Sequence, residues 1–286
     1  MIPKLSILDS AAPPLPDATG EGLEVWYDDH GALCAYGVTE GRRCSMHFPG
    51  LASFSFDRNS EDVTARAPHT VLRDVLMATY HRAVLPMVLQ ARDTEVLHAS
   101  GVRAPHGVMA FCARSGTGKS TLAFGLSRRG YRMWADDAVA FAGSGAHVEA
   151  LPLPFTVRLR PDAAAYLNVD PMGADGTMGD GVTDPEPAPL VAVGVLERVD
   201  GLGGMALVER LRPSVAFPAV LAHAYCFSLR EPERRRRMVE RYLDLTARVP
   251  VFEIRVESGL ERLPEILDAI EQALNRTRIH GTLAGG

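Results

Sequence analysis

Residues 107–130 read GVMAFCARSGTGKSTLAFGLSRRG: an apolar run, a turn with glycines at 116 and 118, then a helical pattern closed by Gly130. No other stretch limits the fold as tightly. A buried strand feeding a glycine-rich turn that opens a helix is the phosphate-binding unit of α/β proteins. The turn's N–H groups and the helix start present donors to an anion. The full pattern is G-x-x-x-x-G-K-[ST]. Gly118, Lys119 and Ser120 fit it, but Ala113 stands where the first glycine belongs. The loop therefore needs support from its surroundings.

The surroundings supply it. EVLHASGV, starting at Glu95, reads as a strand before the loop strand, and YRMWADDAVAF, starting at Tyr131, as the strand after the helix. HVEALPLPFTVRLR follows, and LVAVGVLERV, from Leu190, reads as a further buried strand. Residues 231–247 and 259–275 have helical spacing on either side of the strand VFEIRV, with Leu260, Leu263, Ile266, Leu267, Ile270 and Leu274 on one core face. Earlier, residues 22–56 alternate apolar and polar positions between turn signals, which predicts a small antiparallel sheet. From Pro68 a helix-like run follows, in which Pro86 is expected to kink the chain or join two helices. The expected organisation is a β-rich module over 1–67, a helical connector over 68–94 and an α/β phosphate-loop domain over 95–286. Residues 171–189, rich in Gly, Asp and Pro, are expected to form a mobile loop, either a lid or a surface excursion.

Only two lysines occur, Lys4 and Lys119, against 28 arginines. A tight backbone cradle has room for a compact ammonium but not for a wide planar guanidinium, so the lone internal lysine favours a working phosphate site. The net charge of −5 gives no reason to expect nucleic acid or an acidic membrane as partner. The one basic run, Arg234–Arg237, sits among glutamates on a helical pattern and reads as a solvated face. Cys34, Cys44, Cys112 and Cys226 show neither a disulfide framework nor metal-ligand spacing. The amino-terminal apolar run is too short for a signal peptide, and no apolar stretch approaches the roughly 20 residues of a membrane span. The expectation is a cytoplasmic protein without membrane or nucleic-acid partners. Its oligomeric state is left open, a homo-oligomer included.

In such a loop Ser115, Gly116, Thr117, Gly118, Lys119, Ser120 and Thr121 would cradle nucleotide phosphates. Lys119 would add charge near the β- and γ-phosphates, and the Ser120 hydroxyl would ligate Mg²⁺. Asp136 and Asp137 follow at the end of the next apolar strand. One carboxylate can hold the metal and the other can act as general base; the first allocation gives Asp136 the base and Asp137 the metal. The bland alternative is a pair of turn aspartates. His98 is by itself an ordinary strand histidine. Arg158 and Arg160 are candidates for a phosphate or substrate contact, or simply an exposed strand end.

The set LHASGV, ARSGTGKST and ADDAVAF resembles the catalytic domain of HPr kinase/phosphorylase and its shorter kinase relatives. That resemblance covers residues 95–141 specifically. It implies an α/β phosphate-loop kinase fold related to phosphoenolpyruvate carboxykinase, ATP and Mg²⁺ as cofactors, and His98 as an active-site residue. It also implies transfer of the γ-phosphate to a serine hydroxyl of a peptide or protein. The chain departs from the larger enzymes in a shorter amino-terminal region and in lacking any Lys or Arg between Arg160 and Arg198. These departures point away from HPr itself and towards the short relatives of peptide natural-product pathways, where a precursor peptide is the substrate. Two other classes remain on sequence grounds: a non-enzymatic nucleotide-binding scaffold, and a kinase for a free small molecule such as serine.

Overall fold

A computed structural model describes residues 2–10, 23–27, 31–145, 147–170, 177–180, 186–203, 206–227 and 231–281. The chain is mixed α/β and divides into two units, Met1–Glu95 with Tyr225–Met238, and Val96–Ala224 with Val239–Gly286.

The first unit is built on a six-stranded sheet. Its strands are β1 (Lys4–Asp9), β2 (Leu23–Tyr27), β3 (Leu33–Glu40), β4 (Arg43–Phe48), β5 (Ala52–Asp57) and β6 (Asp62–Ala67). The order β1-β6-β5-β4-β3-β2 is an antiparallel meander completed by a parallel β1–β6 pair. The alternation read over 22–56 corresponds to β2 to β5. β6 escapes that reading because its buried positions beyond Val63 are the small Ala65 and Ala67. The run after Pro68 becomes helix α1 (Arg73–Thr79), one π-helical turn (Tyr80–Val84) and helix α2 (Leu85–Ala91). Pro86 sits in the first turn of α2. Pro86 has no N–H to donate; the Leu85 N–H before it reaches back to the Tyr80 carbonyl, and the Tyr225 hydroxyl donates to the Arg82 carbonyl at 3.4 Å. The join is therefore a widened turn rather than a break.

The second unit carries a nine-stranded sheet. It comprises β7 (Glu95–Leu97), β8 (Ala99–Ala104), β9 (Gly107–Cys112), β10 (Arg132–Ala135), β11 (Val139–Ser144), β12 (His147–Leu151), β15 (Ala188–Arg198), β16 (Leu207–Arg210) and β17 (Val251–Val256). A separate short pair is formed by β13 (Thr156–Arg158) and β14 (Thr177–Asp180). Helix α3 (Lys119–Ser127) follows β9; α4 (Pro161–Tyr166), α5 (Pro213–Leu221), α6 (Pro232–Arg248) and α7 (Leu263–Gly281) come later. The centre is parallel, β9 and β17 each pairing with β15. Every residue of β9 is buried, as expected of a strand covered on both faces. Phe111, Ala113, Leu122 and Leu126 pack with Ile254 of β17 and with Leu263, Ile266, Leu267 and Ile270 of the last helical segment in one core. Of the predicted core face, Leu263, Ile266, Leu267 and Ile270 are buried, Leu260 is half-buried just before the helix, and the Leu274 side chain lies outside the described residues.

Three expectations are corrected. YRMWADDAVAF is not one strand but two, β10 and β11, broken at Asp136–Asp137, and they pair with different neighbours, β8 and β12. EVLHASGV likewise breaks at His98 into β7 and β8. The basic run is not wholly solvated, because Arg234 is 2% exposed and paired with Glu95, itself fully buried. Within 171–189, residues 177–180 form β14 paired with β13; residues 171–176 and 181–185, and with them most of the expected lid, lie outside the described residues.

Candidate functional site

The loop leaves the C-terminal end of β9, the end at which open α/β sheets bind ligands. Gly116 and Gly118 have φ of 77° and 114°, left-handed backbone that glycine adopts without the steric cost of a Cβ. Ala113 does not have such a backbone: the described non-glycine residues with positive φ are Asp93, Asp137 and Asn168. Ala113 is fully buried, and its methyl packs in the core with Phe111, Leu122 and Leu126. The first position of the pattern is used here for packing, so the missing glycine does not disable the turn.

Lys119 opens α3, yet it is buried at 7% exposure, its Nζ donating to the Ala113 carbonyl at 3.2 Å. Burial pushes its pKa down, while the carboxylates of Asp137 and then Asp136 oppose the shift. Ser120, one residue on, donates its hydroxyl to Asp136 Oδ1 at 2.8 Å. The same oxygen accepts from the buried Ser100 hydroxyl at 2.6 Å, and Asp136 Oδ2 accepts from the Arg158 backbone N–H at 3.2 Å. Asp136 is 5% exposed. Burial first, and the neighbouring Asp137 charge second, push its carboxyl up to about 6, against the pull of its three donors. Asp137 is half-buried, with φ of 66°.

The structure therefore brings together Lys119, Ser120, Asp136 and Asp137. His98 reaches the same region through its backbone: its N–H donates to the His223 carbonyl at 2.7 Å, next to a bridge between Leu97 and Ala224. The His223 ring feels the charges of Lys119 and Arg114, which, after burial, hold its pKa below the ordinary histidine value. Arg160 lies against the loop: a Cβ on Gly116 would stand 2.5 Å from Arg160 Nη2. Arg158 contributes its backbone to Asp136, and the short strand β13 thereby braces the carboxylate.

Two residues of this arrangement escape sequence reasoning. Ser100 lies within the quoted LHASGV, but a serine on a buried strand carries no motif of its own. His223 sits in LAHAYCF, where nothing distinguishes it locally; only the pairing beside Leu97 brings it near the loop.

The residues present fit a Mg²⁺–nucleotide. Among the described residues no cluster of three or more His, Cys, Asp or Glu could hold a metal. A protein cage is not what Mg²⁺ uses, however: one or two carboxylates, waters and substrate phosphates commonly suffice. The Ser120 hydroxyl and Asp136 are the groups that could hold it, beside the Lys119 ammonium.

Among the described residues no helix is long and apolar enough to cross a membrane. No family model matches the chain, and no curated protein matches it in sequence. Among solved structures, the Hpr(Ser) kinase/phosphatase from Coxiella burnetii is similar at 12% identity and a TM-score of 0.35, over 66% of this chain and 94% of that one. At that score residues are not transferable from one structure to the other.

Proposed function

We propose that the chain is an ATP- and Mg²⁺-dependent kinase that transfers the terminal phosphate to a serine hydroxyl of a peptide or protein. One observation carries the reading: the hydrogen-bonded set of half-buried Ser120 with buried Asp136 and Ser100 beside Lys119, at a turn whose glycines have left-handed backbone. Bound Mg-ATP supplies the reactive phosphate and the charge of the metal. The loop N–H groups of Ser115–Thr121 and the Lys119 ammonium hold the phosphates, and Ser120 with Asp136 holds the metal. His98 orients the site from the strand break before β8. The serine acceptor rests on the resemblance of LHASGV, ARSGTGKST and ADDAVAF to the kinase family.

The hydrogen bonds favour exchanging the two aspartate roles first read from the sequence. Both oxygens of Asp136 are engaged, and its Oδ1 shares a contact with the hydroxyl suited to Mg²⁺. A general base needs a lone pair turned towards the incoming hydroxyl. Asp137 is more exposed, and after burial its charge is the strongest influence on the Lys119 ammonium. Asp137 is therefore assigned as the base that takes the serine proton, with Asp136 on the metal side.

The test is ATP consumption and phosphate transfer with serine-containing peptides and with free serine, alongside calorimetric binding. Asp137→Asn is expected to lower transfer by about 10²- to 10⁴-fold with Mg-ATP affinity kept, whereas Asp136→Asn loses the metal dependence of binding. The reverse pattern would restore the first allocation. Stimulation by free serine alone would replace the peptide acceptor with a small molecule. Tight binding with no turnover for any acceptor would make the chain a nucleotide-binding scaffold.

A further inference from the structure

Arg160 stands apart from the other cations near the loop. Lys119 has the Ala113 carbonyl and two carboxylates close by. Arg160 is exposed, and among the described residues its guanidinium forms no ion pair or side-chain hydrogen bond, yet it is laid on Gly116, three residues before Lys119. A planar fork of five N–H donors without an acceptor recognises carboxylates and phosphates. The turn beneath it offers donors too, so the group that satisfies both is an anion.

The mounting of Arg160 is firm. Two residues earlier, the Arg158 N–H is tied to Asp136 Oδ2, the carboxylate that also receives Ser120. Leu159, Ala163 and Ala164 on either side are buried at 2% exposure and pack with Phe124 of α3. Backbone on both flanks is thus fixed to the elements that carry the loop, and only the side chain remains solvent-facing. The next basic residue along the chain is Arg198, so no other cation of that stretch can take its place.

Resting on the nucleotide reading above, we propose that Arg160 is a phosphate-contacting arginine supplied by the chain itself, and that it takes the terminal phosphate of the bound nucleotide. Lys119 and Ser120 lie at the helix start, where the lysine reaches between the β- and γ-phosphates and the hydroxyl meets the metal. Arg160 approaches from solvent, over the earlier part of the turn. In phosphoryl transfer, charge spreads over the oxygens of the moving group, and an arginine there stabilises it. Arg160 therefore distinguishes a triphosphate from a diphosphate and favours the transfer step.

The experiment is calorimetric titration of the full chain with Mg-ATP and, separately, Mg-ADP, for wild type, Lys119→Ala, Arg160→Ala and Arg160→Lys, with melting temperatures recorded. Arg160→Ala is expected to weaken Mg-ATP binding by about tenfold or more, the worth of a charge-assisted contact, with Mg-ADP little changed. Arg160→Lys restores part of the loss by returning charge without the fork. An unchanged melting temperature separates this from loss of fold, since the side chain is exposed. Equal affinity of wild type and Arg160→Ala for Mg-ATP, with binding lost in Lys119→Ala, would overturn this inference alone. Equal weakening for both nucleotides would overturn the terminal-phosphate assignment. Failure of wild type to bind either nucleotide would overturn the phosphate-loop reading and this inference with it.

Discussion

Each unit of the molecule buries charge, and the two do it in opposite ways. In the first unit, Arg234 donates to Glu95 through Nη1 at 2.9 Å and Nη2 at 3.2 Å, and to the Gln90 carbonyl through Nε at 3.0 Å and Nη2 at 2.7 Å. Opposite charges face each other, with Asp93 Oδ1 a further 3.3 Å from Nε, and all three guanidinium nitrogens are engaged. In the second unit, Asp136 is nearly as buried, but its partners are two hydroxyls and a backbone N–H, and its nearest charged neighbour in sequence is another carboxylate. A pair engaged in this way has little left to offer a ligand. A buried carboxylate held only by neutral donors, beside a buried lysine, is an arrangement that gains by admitting a cation and an anion together. That imbalance, more than burial itself, makes the second site the candidate functional one.

The largest expected effect breaks the first half of the comparison. Glu95→Ala takes away the buried carboxylate of Arg234, leaving only the half-exposed Asp93 at 3.3 Å from its Nε, and is expected to cost up to about 3–5 kcal/mol in chemical denaturation. Replacing both members with apolar residues, Arg234→Met with Glu95→Leu, is expected to cost less than the single change. Mg-nucleotide affinity of the folded variants should match wild type. A double variant no more stable than Glu95→Ala would mean that the pair is held by something other than mutual neutralisation.

A smaller effect sharpens the second half. The Asp136 carboxyl lies near 6 rather than at its ordinary 3.8, so ionising it costs the folded chain more than the unfolded one. Its contribution to stability is complete below the ordinary carboxylate range and is lost as pH rises through about 6. His47 and His223, whose pKa values are lowered chiefly by burial, act in the opposite sense. The group is therefore isolated by comparing wild type with Asp136→Asn in melting experiments between about pH 4 and pH 7.5. Wild type should lose stability relative to the variant as pH rises. Parallel profiles would remove the unneutralised carboxylate from the account, and Mg²⁺ with nucleotide should reduce the difference where the site binds them.

The same contrast explains what the sequence discloses. β9, the turn and α3 are legible because each obeys a local rule: an apolar run, glycines where φ is positive, and helical spacing ended at Gly130. The core face of α7 is legible for the same reason, through Leu263, Ile266, Leu267 and Ile270. The break at Asp136–Asp137 is not. Apolar residues continue on both sides of it, and only the left-handed backbone of Asp137 and the change of strand partner reveal it. Arg234 is hidden more deeply. Four consecutive arginines look alike in sequence, and which one turns inward depends on Glu95 and Gln90, more than 130 residues earlier. Nothing in composition marks Tyr225–Met238 as part of the first unit either, because membership is decided by long-range contacts such as Trp26 with Phe227. Local rules disclose elements, whereas burial of charge is settled by tertiary partners.

The smallest effect bears on the residue that first put the loop in question. Ala113 has ordinary backbone and a methyl in the core with Phe111 and Leu122. Restoring the pattern with Ala113→Gly removes that methyl and widens the conformational freedom of the unfolded chain. Both act against the fold, by about 1 kcal/mol or a little more. No gain in Mg-ATP affinity is expected, because the Lys119 ammonium meets the carbonyl of residue 113, which the substitution leaves in place. Measured together, a lower melting temperature with unchanged affinity would mean that position 113 has passed from the ligand's service to the core's. Tighter binding from the glycine variant would instead show that the cradle is cramped by the methyl, and that the present loop is a weakened form of the pattern.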